Sequence, residues 1–162
     1  MYRKQKLSES LETYSSLCFP YKSKDISSHR YRVTIGIGGN IGDVKRRFHH
    51  LFVTLKREKR VDILQTSLIL KNPPFGYTDQ DDFLNSIIIL QTSMQAKSFL
   101  AYLLRLEKKF GRKRSFANAP RSLDLDIIFF DNLSIDTKEL KIPHPYWHQR
   151  ESVIIPLAGL KR

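Results

Sequence analysis

Asp124 and Asp126 stand two residues apart in the stretch RSLDLDIIFFD, residues 121–131. As a β-strand, this stretch puts Asp124, Asp126, Ile128 and Phe130 on one face and Leu123, Leu125, Ile127 and Phe129 on the other. Their Cα atoms then lie roughly 7 Å apart, so the carboxylates can converge on one divalent ion or hold two ions about 4 Å apart. Two like charges on a half-buried face repel and lose hydration, which calls for a compensating cation. The plainer alternative is a strand start that frays into water. The neighbouring residues must decide between these.

Just upstream, GRKRSFANAPR, residues 111–121, carries Arg112, Lys113, Arg114 and Arg121. Arginine forks suit phosphate oxygens, and Gly111 gives the loop freedom to move. A basic loop beside two metal-ligand candidates is what phosphoryl transfer needs, because cations must neutralise the charge that builds on the transferred group. Glu107 falls within the apolar stripe of Phe99, Leu103, Leu106 and Phe110, where a carboxylate needs a partner. Near a helix C-terminus the helix dipole also disfavours it, which points to a use. Asn85 interrupts the strand face of Phe83, Ile87 and Ile89. Its amide offers donor and acceptor together, suiting the edge of a heterocycle on which Phe83 could stack; a core amide bonded to backbone is the alternative. His144 and His148 are four apart, but prolines on both sides of His144 make a continuous helix, and hence a zinc site, a poor reading. His144 and Arg150 remain candidates for phosphate contact.

The elements that must position these groups follow from periodicity. YRVTIGIG, from Tyr31, reads as a strand ended by Gly-Gly-Asn. Val44, Phe48, Leu51, Phe52 and Leu55 recur at helical spacing to about Lys59, with Asn40 or Asp43 as the cap. VDILQTSLIL reads as a second strand, FLNSIIILQT as a central one, residues 96–110 as a second helix, and the Asp strand closes the set. The order β-α-β-β-α-β predicts an α+β, ferredoxin-like fold, an antiparallel sheet with both helices on one face and a site on the other. GIGGNIGD misses the spacing of a dinucleotide-binding fingerprint and lacks parallel βαβ units around it, so it is read as a tight strand-to-helix turn whose backbone may line a pocket only as an alternative.

The chain has 162 residues, 41% of them hydrophobic, which suits one domain. Residues 1–30 are rich in Ser and Lys without a sustained period and read as an N-terminal extension, leaving residues 31–162 as a single catalytic domain. One cysteine, Cys18, excludes an internal disulfide. No run of about 18 apolar residues and no signal-peptide core are present, so the cytoplasm is the expected compartment. The net charge of +12 requires an anionic partner without choosing among nucleic acid, anionic membrane and a phosphate-rich small molecule.

Taken together, Gly-Gly-Asn at 38–40, NPPFGYTDQDDFLN at 72–85, LEKKFGRKR at 106–114, APRSLDLDII at 119–128 and IPHPYWHQR at 142–150 resemble the 6-hydroxymethyl-7,8-dihydropterin pyrophosphokinases of folate biosynthesis. The resemblance runs from about Tyr31 to Leu157. It implies pyrophosphate transfer from ATP to the pterin hydroxymethyl group with release of AMP, and two Mg²⁺ ions held by Asp124 and Asp126. It further implies a pterin pocket of Asn72, Pro73, Pro74, Phe75, Phe83 and Asn85. On the nucleotide side it implies Glu107, Arg112, Arg114, Arg121, Ile127, His144 and Arg150, with Arg112 and Arg121 acting on the transition state. The partners expected are ATP and the pterin, not nucleic acid or membrane, and the expected state is a monomer. Ser152 departs from the pattern, standing where such enzymes usually place a second stacking aromatic. The rival reading is a basic RNA-binding module, which the absence of an aromatic RNP1 pattern and the presence of the carboxylate pair oppose. A metal-dependent phosphohydrolase would leave Asn85 and the aromatic loop without a task.

Overall fold

The computed structural model describes residues 2–112 and 116–160. Three short strands come first: β1 (Arg3–Lys6), β2 (Glu12–Ser15) and β3 (Tyr21–Lys22). Then follow β4 (Tyr31–Gly39), α1 (Val44–Arg57), β5 (Val61–Thr66), β6 (Ile69–Asn72), β7 (Phe83–Thr92), α2 (Ala96–Lys109) and β8 (Asp124–Phe130). A small hairpin of β9 (Ile135–Asp136) and β10 (Lys141–Ile142), a 3-10 turn at Trp147–Gln149 and α3 (Glu151–Ala158) complete the described chain. The fold is α+β. The sheet is antiparallel in the order β1-β2-β6-β7-β4-β8, with β5 beside the other half of β7 and β3 outside β5.

The helices form where the sequence lays an apolar stripe. In α1, Val44, Phe48, Leu51, Phe52 and Leu55 are buried, and Phe48, Leu51 and Leu55 are wholly inaccessible. Each such side chain contributes about 1.5–3 kcal/mol of burial. Asp43 is the cap, its carboxylate accepting the Arg46 N–H at 3.1 Å. In α2 the buried face is Ala96, Phe99, Tyr102, Leu103, Leu106 and Glu107. Both helices share one core with Val33, Ile35, Ile37, Ile88 and Leu90 of the sheet. The opposite face is covered only in part, by α3, whose Val153 packs on Ile87, Ile89 and Ile128.

Four sequence-based readings are revised. VDILQTSLIL is two strands, because Ser67 turns its side chain into the ladder: Ile87 N–H donates to Ser67 Oγ at 2.8 Å, and Ser67 N–H donates to Ile87 O at 2.9 Å. In β8 the register against β4 steps from Thr34↔Phe129 to Ile35↔Ile127, making Ile128 a bulge. Phe129 therefore joins Ile128 on the partly covered face and Phe130 returns to the helix-side core, the reverse of strict alternation. Strand β4 runs on through Gly39, where the turn is expected to begin, and Gly42, at φ +71°, makes the turn. Finally, residues 3–22 are not outside the sheet. Tyr14 and Phe19 are core residues, and the strands around them are too short to show a period.

Candidate active site

The open face is organised in rows across β7, β4 and β8. Gly38 pairs with Asn85 on one side and with Asp124 on the other, and Gly36 pairs likewise with Ile87 and Asp126. Glycine is needed at 38, since a Cβ there would stand 2.5 Å from Asn85 Oδ1. The missing side chains leave clear floor between the amide on β7 and the carboxylates on β8. Asn85 Nδ2 donates to Asn72 Oδ1 at 2.7 Å, which turns its own carbonyl and one amide hydrogen to fixed directions. Around this floor lies a cavity of about 420 Å³ lined by Asn72, Pro73, Pro74, Phe75, Phe83 and Asn85, all six of the residues expected on the pterin side. Flat apolar walls with amide groups at one edge suit a planar heterocycle with donor and acceptor edges.

A second cavity, of about 1000 Å³, opens on the other side of β8 and is lined by Glu107, Arg112, Phe116 and Leu100 among others. The two cavities share a wall of Asn118, Arg121, Asp124, Asp126, His144 and Arg150. Along that wall the two aspartates differ. Asp124 is enclosed by cations: Arg112 Nη1 donates to Oδ1 at 2.5 Å and Arg121 Nη1 to Oδ2 at 2.9 Å. Asp126 has no hydrogen-bond or ion-pair partner among the described residues, and burial, followed by the charges of Asp124 and Glu107, pushes its carboxyl up to about 7. The charges of Arg150 and Arg112 offset only part of that cost. The pair fits a divalent cation for that reason, offering oxygen donors at a point where positive charge relieves an existing electrostatic cost.

Glu107 is 3% exposed and serves the cations rather than the solvent. Its Oε2 accepts the Leu125 N–H at 2.9 Å and also pairs with Arg112. Burial raises its pKa, while the Leu125 N–H and the Arg112 charge oppose that rise. The carboxylate therefore pins the start of β8 and holds Arg112 at the shared wall. His144 is held low by burial and then by Arg150. Its Nδ1 accepts the Tyr146 N–H at 3.2 Å, leaving Nε2 to carry the proton as a donor. Arg121 lies over the Phe83 ring, 5.3 Å from its centroid, and Arg150 lies 5.8 Å from the rings of both Phe75 and Tyr146.

One expected residue falls elsewhere, and one is not described. Ile127 points its side chain into the helix-side core, 5% exposed, and lines neither cavity. Arg114 lies outside the described residues. Ser152 does line the smaller cavity, while neither Trp147 nor Tyr146 does, and Trp147 is packed edge-on against Phe129. Sequence reasoning missed Asn40 and Gln80. Asn40, 7% exposed, donates from Nδ2 to Gln80 Oε1 at 2.8 Å and to Asp81 O at 2.9 Å, and accepts the Arg121 N–H at 2.9 Å. Gln80 Nε2 donates in turn to Tyr77 O at 2.6 Å and Asn118 O at 2.8 Å. These two amides tie the turn after β4, the loop after β6 and the loop before β8 together, links across 38 to 81 residues that no local pattern signals.

Comparison with known proteins gives the arrangement a context. Residues 34–162 match the family described as 7,8-dihydro-6-hydroxymethylpterin-pyrophosphokinase. The 2-amino-4-hydroxy-6-hydroxymethyldihydropteridine pyrophosphokinase of Campylobacter jejuni is 44% identical over 140 residues, covering 86% of this chain and 89% of that protein. Its namesake in Helicobacter pylori is 39% identical over 149 residues, covering 91% of each. The namesake in Bacillus subtilis is 35% identical over 126 residues, 78% of this chain and 75% of the relative.

Proposed function

The chain belongs to the 7,8-dihydro-6-hydroxymethylpterin-pyrophosphokinase family, and from that membership and the joined cavities we infer how it transfers pyrophosphate from ATP to 6-hydroxymethyl-7,8-dihydropterin. The observation that carries the inference is the shared wall: Asp124, Asp126 and Arg121 border both the cavity suited to a heterocycle and the larger, cation-lined one. The pterin occupies the first, its faces against Phe83 and the Pro73–Phe75 segment and its polar edge on Asn85 and Asn72. ATP occupies the second, its phosphates running to the wall.

The hydroxymethyl oxygen attacks the β-phosphorus, the bond from that phosphorus to the bridging α–β oxygen breaks, and AMP leaves with the electron pair. The transition state of such a transfer is loose, so alignment and charge neutralisation supply most of the rate. Asp124 and Asp126 would hold two Mg²⁺ ions, which when bound neutralise phosphate charge and fix both substrates at the wall. Arg112 and Arg121 present forks that fit phosphate oxygens as well as they fit Asp124. Glu107 keeps Arg112 in place, His144 offers its Nε2 hydrogen, and Arg150 adds charge on the rim. Folding the two loops against one another through Asn40 and Gln80 keeps the cavities in register.

The enzyme acts as a cytoplasmic monomer on two small molecules. Among the described residues no helix is long and apolar enough to cross a membrane. Nothing favours the RNA-binding alternative, and the acidic pair occupies the open sheet face that such a module would offer to a phosphate backbone. Incubation with ATP, Mg²⁺ and the hydroxymethyl-dihydropterin is expected to give AMP and the pterin diphosphate in equal amounts. Formation of ADP or of free phosphate in place of AMP would overturn the assignment.

A further inference from the structure

The stretch that matches the family begins at residue 34, yet the smaller cavity has a wall that comes from further upstream. Ser10 lines it together with Asn72, Pro74 and Phe75. Ser10 sits in the turn between β1 and β2, where Leu7 N–H donates to Leu11 O at 2.8 Å and Leu11 N–H donates to Ser8 Oγ at 3.2 Å. The turn is carried to the cavity by sheet pairing. β2 adds to the edge of β6 with Glu12 opposite Lys71, one residue before Asn72, so the hairpin tip projects past the end of the strand that supplies the cavity's amide.

The hairpin is fastened rather than loosely attached. Tyr14 is 9% exposed within the main core, and Lys45 on α1 places its ammonium 3.6 Å from the Tyr14 ring centroid and 5.2 Å from that of Tyr2. Tyr2 Oη donates to Lys45 O at 3.2 Å, and Tyr14 Oη donates to Glu12 Oε2 at 2.8 Å. A cation held between two rings is attracted by both ring faces and fastens the hairpin to the helix. On the other side α3 gives the cavity Glu151, Ser152 and Val153, none of them aromatic. Besides Ser86 on β7, the lining therefore has a small polar side chain on α3 and another on the hairpin tip.

We propose that the β1–β2 turn, through Ser10, is a specificity-determining wall of the pterin cavity, limiting the size of the heterocycle that fits and setting its affinity without touching the nucleotide. This inference rests on the reading that the pterin occupies that cavity. Ser10 does not approach the reacting atoms and acts on binding alone, so its effect belongs in the pterin KM and not in kcat.

Ser10→Trp fills the cavity mouth, whereas Glu9→Trp alters the same turn at an exposed residue that does not line the cavity. For Ser10→Trp the pterin KM, and the pterin Kd measured by calorimetry with a non-hydrolysable ATP analogue, are expected to rise about tenfold or more. The ATP KM, kcat and Tm should stay within about twofold or a degree of the parent. Glu9→Trp should match the parent in all of them. Unchanged pterin affinity in Ser10→Trp overturns the proposal. So does an equal loss in both variants, because that would trace to the packing of the hairpin and not to the wall. Should the parent fail to make AMP while binding the pterin in a Ser10-dependent way, the catalytic reading fails and the wall stands.

Discussion

Away from the shared wall and Glu151, the pterin-side cavity is bounded by neutral side chains, several of them set by strand pairing, whereas the nucleotide-side cavity is bounded by charges that hold one another. On the first side, strand pairing sets Asn85 beside Gly38, and a single amide hydrogen bond to Asn72 at 2.7 Å orients it. On the second, Arg112 and Arg121 take their places from Asp124 and Glu107. The first arrangement is shape made in advance, the second is charge that can be exchanged, since a guanidinium binds phosphate with the same fork that it offers a carboxylate. A heterocycle is recognised by geometry that exists before it arrives. A triphosphate is recognised by cations whose present partner, Asp124, is itself a ligand candidate for the accompanying metal.

That contrast breaks most completely at the wall where the two sides meet. Asp126→Asn removes the carboxylate that no arginine clasps directly, and turnover is expected to fall by at least about 10³-fold in an AMP-release assay with the fold retained. The same variant carries a stability signature. Because the folded carboxyl titrates near 7 and the unfolded one near 3.9, the native state binds the proton more tightly, and stability falls as pH rises between these values. The penalty is absent below about pH 4 and complete above about pH 7. Relative to the parent, Asp126→Asn should thus be more stable at pH 8 than at pH 3.5, in urea melts. An Asn variant less stable, relative to the parent, at pH 8 than at pH 3.5 would mean that Asp126 is paired in the native state.

Arg121→Ala sharpens the comparison from the charged side. Single-turnover rates should drop about 10²- to 10³-fold with ATP affinity changed only several-fold, because the charge matters most when the phosphoryl group is in flight. On the neutral side, Gly38→Ala places a methyl against Asn85 Oδ1 and should raise the pterin KM about tenfold while leaving the ATP KM alone. A rise in both constants would show that the two sides are not separable. The smallest effect belongs to the link between them. Gln80→Ala removes neutral hydrogen bonds of about 1 kcal/mol each, and should lower kcat/KM for both substrates by roughly fivefold.

How far the sequence reveals these features depends on how local they are. The helices, the apolar stripe of α1 and the shared face of Asp124 and Asp126 follow from periods of 3.6 and 2, and the structure has them in place. Glu107 announces itself as a carboxylate in an apolar stripe, and it proves to be buried with partners. The bulge at Ile128 leaves no such trace, because isoleucine and phenylalanine satisfy either face and the swap of Phe129 and Phe130 keeps the pattern apolar. The break at Ser67 is hidden for a similar reason, as Ser and Leu continue the alternation through it. Asn40 illustrates the limit most clearly. In sequence it is a helix-cap candidate, and in the fold it joins residues 80, 81 and 121, contacts that exist only once the sheet has formed. The hairpin of β1 and β2 was equally silent, its eight strand residues including three of Lys and Arg.

The claim on which the rest depends is that the carboxylate pair joins the two cavities by holding divalent cations between their occupants. A crystal structure with Mg²⁺, a non-hydrolysable ATP analogue and the hydroxymethyl-dihydropterin tests it most directly. The account predicts cation density bridging Asp124, Asp126 and the phosphates, the pterin between Phe83 and the Pro73–Phe75 segment, and Arg121 transferred from Asp124 to phosphate. Asp124 still clasped by both arginines, with the cation bound away from Asp126, would contradict it.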